Sequence, residues 1–177
     1  QYEHSHRYSY PKFIIKDYKE NKIKEKYFVS GFYVFSEDTP TISWELTEEM
    51  DSICGYPCIK AHADFCGRKW DAWFTSDIPL SDGPFRFQGL PGLILKMESE
   101  DKEHRLTAIS IRNGHNDIYE EKTDDYKTTR ERCRKLYENF QLNPAGTIDI
   151  SNIKQADGSD PRSHMQTRLF YNPIELE

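Results

Sequence analysis

The sequence is short of several kinds of residue, and each shortage excludes a class of protein. Its 177 residues include 3 Met and 4 Cys, and 24 Lys or Arg stand against 30 Asp or Glu, which gives a net charge of −6. Such a chain repels a phosphate backbone, and it carries no zinc-finger spacing or basic helix, so we expect no nucleic-acid partner. No apolar run approaches the roughly 20 residues that a membrane helix needs, so we expect no membrane span.

What the chain has in abundance is aromatic residues, which favour sheets. Tyr and Phe number 11 and 10 against 3 Met. These residues pack well in cross-strand pairs, and a chain of this length is typical of one domain. We therefore predict a β-rich α+β fold, with residues 1–177 forming a single domain.

Hydrophobic periodicity places the elements. Strands separated by turn residues are predicted over 8–35, 42–46, 58–75, 93–97 and 104–111. One main helix is predicted over about 123–140, because Tyr126, Cys133 and Tyr137 recur at helical spacing and Thr123 is a suitable N-cap. The polar stretch 154–164 is predicted to be mobile.

A tight turn is predicted at Leu90-Pro91-Gly92. Pro fixes one φ near −65°, and Gly can take a positive φ in the same turn. A phosphate loop is excluded because no Gly-Lys-Ser/Thr follows and an apolar strand comes next. The turn therefore has a structural explanation.

The hexapeptide Gly-Leu-Pro-Gly-Leu-Ile at 89–94 resembles the motif of the GLPGLI family, exported proteins of Bacteroidetes that mostly lack an assigned function. Segments 55–61, 67–75, 78–79, 83–84 and 171–176 also resemble that family's pattern. The resemblance implies a periplasmic or secreted protein without a recognised catalytic residue, and we expect no cofactor. A start at Gln1 fits removal of a signal peptide, and it equally fits a chain trimmed at its start.

The hairpin pattern also resembles periplasmic lipoprotein-carrier-like domains, which implies a curved antiparallel sheet or half-barrel folded over a helix. Its concave face would bind an apolar ligand or a segment of an envelope protein. The tryptophans of the strands and the apolar residues just before the motif either line that site or fill the core. The candidates are Trp44, Trp70, Trp73, Phe85, Phe87 and Leu90.

Strand geometry limits the disulfides. Cys58 and Cys66 lie eight residues apart on one extended segment, roughly 26 Å at 3.3 Å per residue, which is too far to bridge. Of the full pairings, only Cys54–Cys58 with Cys66–Cys133 survives. Free thiols, with Cys133 buried on the helix, are the equal alternative.

Three possible metal ligands alternate at His62, Asp64 and Cys66, so in an extended strand they project from one face. A metal-binding protein is therefore an alternative function, although a solvated strand end explains the same pattern.

An enzyme is the remaining alternative. The sequence contains no Gly-x-Ser-x-Gly, His-Glu-x-x-His or glycine-rich nucleotide loop. Groups that meet only in space could still act as acid and base, and the candidates are Asp71, Asp77, His104 and His115. We expect a binding module rather than an enzyme.

Overall fold

The computed structural model describes residues 13–29, 31–114, 119–120 and 122–143. In chain order the elements are β1 (Phe13–Asp17), β2 (Lys22–Phe28), β3 (Phe32–Asp38), β4 (Glu45–Ile53), β5 (Tyr56–Phe65), β6 (Arg68–Thr75), β7 (Leu93–Ser99), β8 (Arg105–Thr107), β9 (Asp125–Lys127) and α1 (Arg130–Leu142). The predicted β-rich α+β class is confirmed, and the described sheets are open rather than closed into a barrel.

The chain divides into two compact units. Unit 1 contains Gln1–Asp38 and Glu121–Pro173, and unit 2 contains Thr39–Glu120 and Ile174–Glu177. Each has its own sheet among the described residues. The prediction of one domain over 1–177 stays a prediction, and the stretch 154–164 lies outside the described residues.

Unit 1 is a four-stranded sheet in the order β1-β2-β3-β9 with α1 packed on it. The first three strands are antiparallel and β9 pairs parallel to β3. Tyr27 and Phe35 from the sheet contact the buried Cys133 of α1, and Tyr137 packs against them. The helical spacing of Cys133 and Tyr137 therefore identified the face that packs on the sheet.

The predicted start of the helix, at about residue 123, was wrong, because α1 begins at Arg130. The segment from Asp125 to Lys127 is a strand, because its backbone pairs with Phe32–Val34 of β3. The N-cap is Thr129, whose hydroxyl accepts a hydrogen bond from the Arg132 amide at 3.3 Å. The predicted cap, Thr123, instead accepts a hydrogen bond from the Lys26 ammonium at 2.9 Å.

Unit 2 is a five-stranded antiparallel sheet in the order β4-β5-β6-β7-β8. Two of its hairpins turn on Cys-Gly pairs, Cys54-Gly55 and Cys66-Gly67, and all four residues have positive φ. Two-residue turns of this kind match the right-handed twist of the flanking strands. They set the register of the sheet.

Aromatic residues fill the core on one face of this sheet. Phe87 is fully buried, and its ring centroid lies 4.8 Å from that of Trp70 and 5.4 Å from that of Phe65. Trp44 and Phe85 contact the same ring at 6.4 and 6.3 Å. The segment between β6 and β7 therefore covers the apolar face.

The Gly-Leu-Pro-Gly-Leu-Ile motif is the end of that covering segment. Leu90 is 2 % exposed, and a Cβ on Gly92 would lie 2.1 Å from the backbone oxygen of Thr75. The positive φ is at Gly89, at +97°, and not at Gly92 as the sequence indicated. Gly92 is required because the backbone at this point passes close to the backbone of Thr75. The next residue, Leu93, donates a hydrogen bond to the carbonyl of Ile78 at 3.1 Å.

Candidate functional site

The second face of the unit 2 sheet carries a row of charged residues. Strand register pairs Glu45 with His62, His62 with Asp71, Asp71 with Glu98, and Glu98 with Arg105. Residues paired across strands project from the same face of a sheet. One polar row therefore crosses all five strands.

The centre of the row is a network around the carboxylate of Asp71. One of its oxygens is bonded to Nδ1 of His62, and the other lies 3.2 Å from Nζ of Lys60. Lys60 also contacts the carboxylate of Glu49 at 3.2 Å. Burial disfavours the charged form of Lys60, but the hydrogen bonds from Lys60 to Glu49 and Asp71 outweigh it and raise the pKa of Lys60.

Beside this network, two lysines contact the ring of Trp73. Nζ of Lys96 lies 3.9 Å from the ring centroid and Nζ of Lys60 lies 5.4 Å from it. Such cation–π contacts fix both ammonium groups against the aromatic surface. Trp73 is 8 % exposed and also packs in an apolar cluster with Ile53, Cys58 and Leu95.

A cleft of about 540 Å³ opens at this face. Its lining is mostly polar and includes more carboxylates than ammonium groups. The lining residues are Ser43, Glu45, His62, Ala63, Asp64, Lys69, Trp70, Asp71 and Glu100. The volume lies within the range typical of small-ligand sites.

The predicted apolar wall is mostly core. Trp70 and Phe87 are 1 % and 0 % exposed. Trp44 and Phe85 are half-buried, and the indole nitrogen of Trp44 donates to the carbonyl of Gln88 at 2.8 Å. Of the six predicted residues, only Trp70 is among those lining the cleft.

The structure separates the three predicted metal ligands. His62 and Asp64 line the cleft, whereas Cys66 is in the β5–β6 turn with a φ of 48° and does not continue the alternation of the strand. His62 is bonded to Asp71 instead. In the part of the chain that the structure describes, no three His, Cys, Asp or Glu side chains are grouped to hold a metal ion.

Of the predicted acid–base residues, only Asp71 belongs to the cleft. His104 is fully buried and Asp77 is exposed outside the cleft, while His115 lies outside the described residues. The contact of His62 with Asp71 was not predicted from the sequence. A hairpin with a two-residue turn at Cys66-Gly67 does place these two residues opposite each other on neighbouring strands.

Of the two alternatives for the cysteines, the structure has four thiols and not the pairing of Cys54 with Cys58 and Cys66 with Cys133. Cys54 is at the tip of the β4–β5 turn, and its Sγ donates to the carbonyl of Ala108 at 3.1 Å. Cys58 is fully buried in β5, and burial raises the pKa of its thiol. Burial, with a contribution from Glu25, raises the pKa of Cys133 to about 12.

Comparison with known proteins finds one short region that is similar to a family of unknown function. A family model described as "Protein of unknown function (Porph_ging)" matches residues 66–96, from the β5–β6 turn into β7. This match does not confirm the GLPGLI name. No curated protein matches the chain.

The fold is similar to part of a larger solved protein. Two structures, "PNGF-II in P21 space group" and "PNGF-II in C2 space group", match with TM-scores of 0.50 and 0.48, both at 17 % identity. The match covers 73 % and 70 % of this chain but only 26 % and 24 % of those chains. This chain therefore spans about a quarter of their length, and the likeness concerns the fold alone.

Among the described residues, no helix combines the length and the apolar character needed to cross a membrane.

Proposed function

We propose that unit 2 is a binding module and that its site is the polar cleft on the charged face of the sheet. The observation that carries this proposal is the position of the cleft. It opens beside the polar row that crosses the five strands, and seven of its nine lining residues have polar side chains.

The charges of the lining favour a cationic ligand. Glu45, Asp64, Asp71 and Glu100 carry carboxylates into the cleft, against the single ammonium of Lys69 among the lining residues. An excess of one charge lowers the free energy of an oppositely charged ligand in a cleft. We therefore propose a polar ligand in place of the apolar ligand that the sequence suggested, because Phe87 and Leu90 are buried in the core.

A titration with two probes tests this proposal. We expect tetralysine to shift the amide NMR signals of Glu45, His62 and Lys69 in ¹⁵N-labelled protein, with a dissociation constant of about 0.1 to 1 mM. Octanoate is expected to leave these signals in place. Shifts at Trp70 and Phe87 caused by octanoate, without any effect of tetralysine, would restore the apolar site.

A matched pair of variants separates the cleft from general attraction. Glu45 lines the cleft, whereas Glu48 is an exposed carboxylate on the same strand outside it. We expect Glu45→Gln to weaken tetralysine binding about threefold or more, and Glu48→Gln to leave it nearly unchanged. Equal effects of the two substitutions would show a diffuse electrostatic attraction and no site.

We also propose that the protein is exported to the periplasm or the exterior and associates with the envelope. The support is the resemblance to the exported GLPGLI family at residues 89–94 and the flanking segments. Fractionation of the source cells with an antibody to the protein tests this, and recovery from the cytosol alone would contradict it.

A further inference from the structure

We propose that His62 determines which ligands the cleft accepts. While its imidazole is neutral, the cleft holds a cationic group such as the lysine or arginine side chain of a partner peptide. When the imidazole is protonated, the cleft releases that group. This inference rests on the proposed function of the cleft.

The orientation of the His62 ring is fixed by its neighbours. Nδ1 is bonded to one oxygen of Asp71, and the second oxygen is held by Lys60 at 3.2 Å. A carboxylate at Nδ1 fixes the neutral ring in the tautomer that carries its proton there. Nε2 is then a hydrogen-bond acceptor, on a side chain that is 43 % exposed and lines the cleft.

Charged side chains surround the cleft in which the His62 ring lies. Lys60 is committed to Asp71 and Glu49, and Nζ of Lys69 lies 3.9 Å from the carboxylate of Glu100. Glu45 and Asp64 form no ion pair with any residue that the structure describes. The charged groups that line the cleft with His62 or contact its partner Asp71 are Glu45 on β4, Lys60 and Asp64 on β5, Lys69 and Asp71 on β6, and Glu100 after β7.

Protonation of His62 changes both the charge and the hydrogen bonding of the cleft. A histidine typically titrates between pH 5 and 8, a range in which carboxylates usually stay ionised. Lys60 stays charged there too, because its partners raise its pKa. Protonating His62 turns Nε2 from an acceptor into a donor and adds a positive charge beside Glu45. Both changes oppose a bound ammonium or guanidinium group, so its affinity must fall as the pH is lowered.

The test measures tetralysine binding by calorimetry at pH 7.5 and pH 5.5 at constant low ionic strength. We expect the wild-type dissociation constant to rise about five- to tenfold at pH 5.5. His62→Gln keeps a neutral polar side chain, so its dissociation constant should be nearly the same at both pH values. Asp64→Asn should weaken binding at both, but it should keep the wild-type ratio.

A second measurement uses the unmodified protein, so it does not depend on the folding of a variant. Saturating tetralysine should move the midpoint of the His62 ring titration, followed by its Hε1 NMR signal, to lower pH, since the coupling is reciprocal. An unmoved midpoint, or a His62→Gln variant with the wild-type pH ratio, would overturn the inference while leaving the binding site in place. Absence of tetralysine binding at pH 7.5 would instead overturn the proposed function, and this inference with it.

Discussion

The backbone of Gly92 lies against the end of β6, where no side chain has room. A Cβ built on this residue would lie 2.1 Å from the carbonyl oxygen of Thr75 and 2.7 Å from its carbon. Neither atom is the end of a flexible side chain, so the backbone itself would have to move. The second glycine of the motif is therefore a packing requirement of the core.

We predict that Gly92→Ala destabilises the protein by about 3 kcal/mol, because forced separation of two backbone segments carries the cost of overpacking. Gly55→Ala is the matched control. Its φ is +83° but nothing lies within 4 Å, so only about 1 kcal/mol of backbone strain is expected. Urea unfolding measures both, and equal losses would contradict the close-approach explanation.

Single residues of the site were only partly predictable from the sequence. Alternation placed His62 and Asp64 on one face, and Asp71 was an acid–base candidate, and all three line the cleft. The partners of these residues, Lys60 and Glu49, come from positions whose proximity depends on the register of β4, β5 and β6. A bulge between Leu46 and Met50 shifts that register, and local patterns do not reveal it.

At the scale of elements, local pattern predicted α1 but not its first residue. Tyr126 continues the helical spacing, so the sequence favours an earlier start. What decides the outcome is a tertiary contact, the parallel pairing of Asp125–Lys127 with β3. Non-local pairing of this kind overrides local propensity. The end of the helix was predictable, because Pro144 follows Asn143, the C-cap.

We predict that Thr129→Ala costs about 1 kcal/mol of stability, since the amide of Arg132 loses the hydroxyl that caps the helix. Amide hydrogen exchange should show faster exchange at Arg132 in this variant. Thr128→Ala, one residue earlier, removes a hydroxyl that does not cap the helix and should leave that amide protected. Equal exchange in the two variants would place the start of the helix elsewhere.

At the scale of the whole molecule, the net charge of −6 does not mean that every acidic side chain destabilises the fold. Asp125 in unit 1 is bonded to Lys26 at 3.1 Å, and the Lys26 side chain is only 2 % exposed. Asp101 in unit 2 accepts hydrogen bonds from Ser99 at 2.6 Å and from the Glu103 amide at 3.0 Å, and it pairs with Arg68. Each unit therefore contains a carboxylate that stabilises the fold in its ionised form.

Because each unit contains one of these two carboxylates, low pH is expected to destabilise both units. Burial alone would raise the pKa of Asp125 and of Asp101, but their hydrogen bonds and cationic neighbours outweigh it, so both pKa values lie below the ordinary 3.8. A carboxyl group with a lowered folded pKa stabilises the fold above its unfolded value, and this contribution disappears as the pH falls through the folded value. We therefore expect the urea midpoint to fall between about pH 4 and pH 2.

The double variant Asp101→Asn with Asp125→Asn tests this expectation. It should be less stable than the wild type at pH 7, with about 2 to 3 kcal/mol of the loss arising at Asp125 because Lys26 is buried. Between pH 4 and pH 2 its urea midpoint should change less than that of the wild type, so the two curves converge in acid. Asp124→Asn, at an exposed neighbouring carboxylate, should follow the wild-type curve. Parallel curves for the double variant and the wild type would show that other groups govern the acid response.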